Sequence, residues 1–267
     1  MMKIGFIGLG NMGGSLARLV AQDERYRSEL LLANRSRDKA ERIAAEVGGQ
    51  SVSNAEVFAQ AEVIFLGIKP AQFADLLADY QEVLEKRESL LLVSMAAGLS
   101  LELLEKLSSS HHRWIRMMPN TPVAVGEGVI SYALSQRAKR ADEDLLRELL
   151  SSAGLLLKLD EKQLDAATAL AGCGPAFVYL FIEALADAGV RAGLSRDISL
   201  ELANQTLLGA AKLSQISGQH PAQLKDQVCS PAGSTIAGVA SLEENAFRGT
   251  VMDAVQAAYK RTQELGK

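Results

Sequence analysis

Cysteine and histidine are scarce in this sequence, with 2 cysteines and 3 histidines among 267 residues. Cys173 and Cys229 stand far apart and lack the short spacing of a zinc or redox motif. We therefore expect neither a disulfide framework nor a metal site. This cysteine usage fits a reducing compartment, and the expected location is the cytoplasm.

Long uncharged apolar runs and an excess of positive charge are also missing. The longest apolar stretch, residues 176–190, contains Glu183 and Asp187 and is predicted to be too short and too charged to span a bilayer. The first residues lack the pattern of a secretory signal peptide. The net charge is −4 and the basic residues are scattered, so neither nucleic acid nor a membrane is expected as a partner.

Two patterns of hydrophobic residues divide the chain. Up to residue 160, short β-rich runs alternate with amphipathic helical stretches, which predicts an α/β domain over 1–160 with a mostly parallel sheet. Strands are expected at residues 3–7, 30–33, 62–68, 90–95, 114–117, 128–132 and 155–159, with a helix over 142–153. Residues 161–267 show an Ala- and Leu-rich helical pattern instead, which predicts a second, all-α domain.

One predicted helix, residues 175–192, is apolar around most of its circumference. Pro175 suits its first turn, and Glu183, Asp187 and Arg191 recur every four residues, so that charge is confined to one stripe. Such a helix must be buried on most sides. It is either the central core helix of its domain or part of a subunit interface.

A glycine-rich turn follows the first predicted strand and precedes a helical pattern at residues 15–22. The turn Gly8-Leu9-Gly10-Asn11-Met12-Gly13 has the G-x-G-x-x-G spacing of a dinucleotide-binding site, which indicates a Rossmann-type domain. Gly8 permits the tight turn, Gly10 lets the backbone approach a pyrophosphate, and Gly13 permits close packing of the helix. The free N–H groups and positive dipole at the helix N-terminus then favour the anion.

The second strand is followed by Asn34-Arg35-Ser36, about 20 residues beyond Gly13, where NAD-binding proteins usually carry Asp or Glu for the ribose. That acid is missing here. Arg35, with a hydroxyl and an amide beside it, suits a 2′-phosphate instead. NADPH is therefore the favoured cofactor and NADH the alternative; the competing interpretation of Arg35 is an ordinary solvated loop arginine.

Two later strand ends are predicted to meet the same edge of the sheet, since ligands of open α/β sheets bind outside the carboxyl ends of the strands. They are Ile68-Lys69-Pro70 and Ala96-Ala97-Gly98, which we assign as cofactor contacts. In the helical domain, Gly233, Ser234 and Thr235 precede a helical pattern, so their N–H groups are able to receive a carboxylate. From spacing alone, a routine N-cap is the preferred interpretation of Ser234 and Thr235.

The segment from Pro221 to Glu243, with Val-Cys-Ser-x-Ala-Gly-x-Thr at its centre, resembles the signature of pyrroline-5-carboxylate reductases. Other motifs follow in the family's order, including Met118-Pro119-Asn120-Thr121-Pro122, from which Asn120 is assigned to the cofactor, and Ala171-Gly172-Cys173-Gly174-Pro175. Cys173 departs from the Ser expected there.

The resemblance implies reduction of 1-pyrroline-5-carboxylate to L-proline, the last step of proline biosynthesis. It implies that the helical domain dimerises, that dimers build larger rings, and that Ser230, Gly233, Ser234 and Thr235 bind the substrate. Thr235 is assigned as the residue that hydrogen-bonds the ring nitrogen.

The sequence leaves two rival functions open. A β-hydroxyacid dehydrogenase would carry a catalytic lysine near the substrate loop, where Lys212 and Lys225 are the choices. An NADPH-sensing protein would bind the cofactor without consuming it.

Overall fold

A computed structural model describes residues 2–108 and 111–265 of the chain. The predicted helical domain ends with Gly266 and Lys267, and these two lie outside the described residues. The chain divides into two compact units, one running up to Cys173 and including the segment from Ala258, the other Gly174–Ala257. The first unit thus extends beyond the predicted boundary at residue 160.

Within the described residues, the strands of the first unit form one 8-stranded sheet in the order β3-β2-β1-β4-β5-β6-β7-β8. All neighbouring strands are parallel except β6 and β7, which are antiparallel. The predicted mostly parallel sheet is therefore confirmed. The strands are β1 (Ile4–Ile7), β2 (Leu30–Ala33), β3 (Gln50–Ser51), β4 (Val63–Leu66), β5 (Leu91–Ser94), β6 (Arg113–Pro119), β7 (Gly128–Leu134) and β8 (Gly154–Lys158).

Helices connect these strands and make up the second unit. The α-helices are α1 (Asn11–Val20), α2 (Glu24–Arg27), α3 (Arg37–Val47), α4 (Asn54–Gln60), α5 (Phe73–Asp79), α6 (Gln81–Glu85), α7 (Leu101–Leu107), α8 (Arg140–Leu149), α9 (Leu164–Ala167), α10 (Gly174–Arg191), α11 (Arg196–Ser217), α12 (Pro221–Val228), α13 (Ser234–Glu244) and α14 (Phe247–Leu265). Three 3₁₀ turns (Pro70–Gln72, Thr121–Val125 and Glu161–Gln163) and a π-helical turn (Thr168–Gly172) complete the chain.

The four central strands have four residues each. Every residue of β1, β2, β4 and β5 is buried. Side chains on the two faces of the sheet belong to two separate core clusters, as expected for strands covered by helices on both sides. Phe6 and Phe65, on adjacent strands, stack with ring centroids 4.7 Å apart. The sequence pattern thus identifies these strands through their continuous hydrophobicity.

The apolar helix α10 is largely uncovered within one chain, where Ala186 is its one buried residue among those described. Tyr179 and Leu180 are 58% and 65% exposed. This exposure favours the interface interpretation over the core-helix interpretation. By length and composition, the helical stretch Glu161–Arg191 is also long and apolar enough to cross a membrane, so the expectation that it is too short does not hold for the whole helical stretch.

A buried histidine lies just before β6. His112 is completely buried, and its Nδ1 accepts a hydrogen bond from the Leu90 amide at 3.2 Å. Burial and the neighbouring His111 ring lower the pKa of His112 to about 4. The imidazole is therefore neutral at pH 7 and resists protonation as long as the chain is folded.

His112 should make the protein sensitive to acid. In the unfolded chain the His112 pKa returns to about 6.5, so the unfolded state takes up its proton first as the pH falls. The free energy of unfolding should decrease between pH 6.5 and 4 by about 3 kcal/mol from this residue. His112→Asn keeps a side-chain acceptor and should flatten this part of the pH profile, measured by urea unfolding at several pH values. An unchanged profile in the variant would contradict the assignment.

Candidate active site

The glycine turn after β1 is shaped by close backbone contacts. Gly8 has a φ of +90°, a conformation that favours glycine, and a Cβ there would lie 2.6 Å from the Gly67 carbonyl oxygen. A Cβ on Gly13 would lie 2.1 Å from the Gly8 carbonyl oxygen. Gly13 therefore permits the first turn of α1 to pack directly against the backbone of the preceding turn. Any side chain at Gly8 or Gly13 would force these segments apart.

Gly10 faces open space instead. A Cβ at Gly10 would meet no atom within 4 Å, and α1 begins at Asn11 without a side-chain cap or an acidic residue in its first turn. The N–H groups at the start of α1, including those of Asn11 and Met12, have no intrahelical partner because of their position. The turn thus offers unblocked donors and a positive dipole end to an anion.

The end of β2 lies beside this turn and is fastened to it. The Gly8 amide donates to the Ala33 carbonyl at 2.9 Å, and the Leu9 amide donates to Asn34 Oδ1 at 3.0 Å. Arg35 and Ser36 follow and are exposed. Among the described residues, no carboxylate lies within ion-pair distance of Arg35, so its guanidinium is available to an external anion.

A cavity of about 670 Å³ opens where these segments meet. Of the residues assigned to the cofactor from sequence, the cavity is lined by Gly8, Gly10, Asn34, Arg35, Ser36, Ile68 and Lys69. It is also lined by polar and acidic residues that were not assigned from sequence, namely Asn54, Gln72, Asp75 and Asp79. The lining thus includes two cations, Arg35 after β2 and Lys69 after β4, and acidic residues from α5.

The other assigned residues of the first unit lie outside this cavity lining. Asn11, Met12 and Gly13 form the first turn of α1, and Pro70 begins the 3₁₀ turn after Lys69. The segment Ala96-Ala97-Gly98 follows β5, whose neighbour β4 precedes Ile68, so it continues the same carboxyl edge of the sheet. Their contact with a cofactor stays a prediction.

Asn120, directly after β6, bridges two other segments of the first unit. Its Oδ1 accepts from the Val129 amide at 2.8 Å and its Nδ2 donates to the Ala171 carbonyl at 3.0 Å. Both polar ends of the amide are therefore used within the protein. Asn120 thus fixes the end of the π-helical turn, and its assignment to the cofactor stays a prediction.

The loop predicted to bind the substrate lies in the second unit, between α12 and α13. Gly233 is the N-cap of α13 and no side chain caps this helix. Ser234 and Thr235 are its first two residues, so the routine N-cap expected from spacing is not the one formed. Ala237 makes the first backbone hydrogen bond of the helix, to the Gly233 carbonyl at 3.3 Å. The amides of Ser234 and Thr235 are therefore open to a carboxylate, whereas the Gly233 amide, predicted to be a third donor, already donates to the Ser230 carbonyl at 3.0 Å.

The chain resembles known proteins along its whole length. A family model described as pyrroline-5-carboxylate reductase dimerisation matches residues 161–265, and one described as NADP oxidoreductase, coenzyme F420-dependent, matches residues 3–98. The chain is 45% identical to a pyrroline-5-carboxylate reductase of Pisum sativum, over 98% of this chain and 95% of that protein. The chain belongs to the pyrroline-5-carboxylate reductase family.

Other pyrroline-5-carboxylate reductases are similar to the chain over its whole length. One from Synechocystis sp. is 39% identical over 100% of this chain and 99% of that protein. The crystal structure of the Plasmodium falciparum pyrroline carboxylate reductase with NADP bound superimposes with a TM-score of 0.90, at 36% identity, and covers 100% of this chain and 98% of that chain. The family resemblance predicted from the sequence signature is thus confirmed. The predicted fold is confirmed as well: an NADP oxidoreductase domain is followed by a dimerisation domain.

One buried charge in this reductase was hidden in an apparently apolar strand. Arg116 of β6 is 4% exposed. Its guanidinium pairs with Asp165 at 2.6 Å and with Glu161 at 3.4 Å, and Glu161 also accepts from the Leu101 amide at 2.6 Å. These contacts hold residues 161–165 against the sheet, which explains why the first unit extends past residue 160.

Proposed function

We propose that the chain reduces 1-pyrroline-5-carboxylate to L-proline with NADPH, the last step of proline biosynthesis. The observation that carries the proposal is the full-length similarity to reductases of that name in a chain whose cavity presents an unpaired Arg35 beside the glycine turn. NADPH, when bound, supplies a hydride to the carbon of the C=N bond. The chain's own residues bind and orient the two ligands.

The glycine turn and the Arg35 loop are proposed to hold the two anionic parts of the cofactor. Donors at the start of α1 receive the pyrophosphate, while Arg35 and Ser36 receive the 2′-phosphate through charge-assisted hydrogen bonds. Lys69 lies on the same cavity and is proposed to donate to a ribose hydroxyl. The Plasmodium falciparum relative, with NADP bound, supports this cofactor.

The α13 N-terminus is proposed to bind the substrate carboxylate. Its open amides and dipole favour an anion, and Gly233, Ser234 and Thr235 stand at its first turn, with Ser230 in the preceding loop. The Thr235 hydroxyl makes no hydrogen bond within the described chain and is proposed to contact the ring nitrogen. A protonated imine is already electrophilic, so positioning dominates the chemistry expected of these residues.

Following NADPH absorbance with pyrroline-5-carboxylate present separates this proposal from its two rivals. The reductase should oxidise NADPH with the imine and leave it unchanged with β-hydroxyacids or their keto forms. A sensor would bind NADPH without consuming it. A dehydrogenase would need a lysine at the substrate; Lys225 is paired with Asp226 at 2.5 Å, and Lys212 makes no ion pair among the described residues. Lack of NADPH oxidation under conditions where the cofactor binds would refute the proposal.

The dimerisation unit is proposed to pair with a second copy through its exposed apolar side chains, and the dimers to assemble into rings. On α10 and α11, Leu180, Leu202 and Leu208 are 65%, 53% and 59% exposed. Burying such side chains is favourable by about 25 cal/mol per Å² of apolar surface. The mass of the native assembly measures the ring size.

The cytoplasm remains the proposed location, supported by the free thiols of Cys173 and Cys229.

Leu180→Glu should weaken this dimer strongly. Placing an unpaired carboxylate in an apolar interface costs several kcal/mol, so we expect the dimer dissociation constant to rise at least about 100-fold. Sedimentation velocity across a dilution series measures this change. Arg191→Glu, on the charged stripe of the same helix, is the control and should leave the assembly intact. Dimers of unchanged stability in Leu180→Glu would exclude this face as the interface.

A further inference from the structure

The side-chain amide of Asn34 joins two loops that border the nucleotide cavity. Its Oδ1 accepts from the Leu9 amide, within the glycine turn, at 3.0 Å. Its Nδ2 donates to the Ser36 carbonyl, in the loop after β2, at 3.2 Å. Asn34 itself lines the cavity and is half-buried. One planar group therefore fixes the spacing between the turn and the loop.

This use of the amide differs from the role of the acid that NAD-binding proteins carry at the same place. There a carboxylate accepts hydrogen bonds from the ribose hydroxyl. Here the oxygen already accepts from Leu9, and the nitrogen is held by Ser36. An amide also carries no charge that would repel a phosphate. Asn34 thus leaves the 2′-position of the ribose to Arg35 and Ser36.

We infer that Asn34 is a positioning residue that couples the pyrophosphate turn to the 2′-phosphate loop and thereby sets the affinity for both cofactors, while its uncharged amide leaves the 2′-position open to a phosphate. The inference rests on the proposed binding of NADPH in this cavity. It differs from direct recognition of the 2′-phosphate, which would affect NADPH alone. A residue that holds the glycine turn must affect NADH as well, because both cofactors share the pyrophosphate.

Asn34→Ala removes both hydrogen bonds and tests the coupling. We expect the dissociation constants of NADPH and of NADH each to rise about tenfold, the effect of losing one to two hydrogen bonds of ordinary strength. Isothermal titration calorimetry measures both constants without substrate. Arg35→Ala is the matched comparison and should weaken NADPH alone. If Asn34→Ala leaves the NADH constant unchanged, the inference is overturned.

Asn34→Asp separates the two bonds. The carboxylate retains an acceptor for the Leu9 amide, loses the donor to Ser36 and adds a negative charge beside the 2′-phosphate. NADH should bind within about threefold of the parent, while the NADPH constant should rise about 100-fold, since like charges disfavour association. Equal losses for both cofactors would overturn the inference.

The melting temperature of each variant and the imine-reducing activity of the parent protein serve as controls for folding and for the proposed function. Melting temperatures show whether Asn34→Ala is folded; if it is not, Asn34→Asp decides alone by its NADPH-to-NADH ratio. The readout is cofactor binding and does not need the reaction. A parent protein that binds both cofactors without reducing the imine would therefore refute the proposed function, while the binding constants would still test the role of Asn34. A parent that binds neither cofactor would overturn the inference.

Discussion

Thr235→Ala should lower kcat/KM for pyrroline-5-carboxylate about 30-fold or more and leave the dissociation constant of NADPH within about twofold of the parent. Thr235 is half-buried at the uncapped start of α13, and its hydroxyl makes no hydrogen bond in the described part of the chain. Losing a hydrogen bond to a charged group costs about 2 kcal/mol or more, which corresponds to that change in rate. Steady-state kinetics with saturating NADPH, together with calorimetry, measure the two effects separately.

Thr235→Ser is the matched variant, because it keeps the hydroxyl and removes only a methyl group. It should retain most of the activity that Thr235→Ala loses. Turnover that is the same in all three proteins would remove Thr235 from the site. Parallel losses in the serine and alanine variants would show that the methyl group, rather than the hydroxyl, matters.

Arg35→Ala should raise the KM for NADPH about 50-fold while changing the KM for NADH by less than about threefold. Charge-assisted hydrogen bonds to a phosphate are about twice as strong as neutral ones, and their loss of about 2 to 3 kcal/mol gives this factor. NADH lacks the 2′-phosphate and has nothing to lose there. Initial rates at varied cofactor concentration give both constants.

Arg37 provides the control for this change. It lies two residues further on, at the start of α3, and its guanidinium is paired with Glu41 at 2.8 Å and is 84% exposed. Arg37→Ala should therefore leave both KM values unchanged. Equal effects of Arg35→Ala on NADPH and NADH would show that Arg35 does not bind the 2′-phosphate.

Features encoded by neighbouring residues could be predicted from the sequence. The four central strands are continuous apolar runs, and the glycine turn between β1 and α1 has a fixed spacing that its close backbone contacts demand. The change from alternating strands to continuous helices predicts a helical domain from residue 161, whereas the second unit is Gly174–Ala257 and the segment from Ala258 belongs to the first unit. The assignment of the loop before α13 to the substrate depends on its resemblance to a family signature, since its spacing alone favours an ordinary helix cap, and it stays a prediction.

Features that depend on residues distant in the chain could not be predicted in this way. Strand β3 has two residues, too few to show periodicity, so Asn54 just beyond it was not assigned to the cavity. Arg116 lies within an apolar run, and its partners come more than 40 residues later. The hydrogen bond from the Leu9 amide to Asn34 likewise needs the glycine turn and the end of the second strand to be side by side. These side chains serve contacts that appear only after the sheet has formed.

The exposed apolar side chains of α10 decide between two interpretations that the sequence leaves open. Sequence periodicity left α10 as either a core helix or an interface helix. In one chain its side chains remain largely uncovered, and the family model that matches this region is one of dimerisation. Together these observations favour the interface.

The most direct test of the proposed reaction is the fate of the hydride. The protein is incubated with pyrroline-5-carboxylate and NADPH that carries deuterium at the transferable position of the nicotinamide, and the proline formed is analysed by mass spectrometry. The account predicts one deuterium per proline, on the ring carbon that was double-bonded to nitrogen. Proline without deuterium, or no proline while the cofactor is bound, would contradict it.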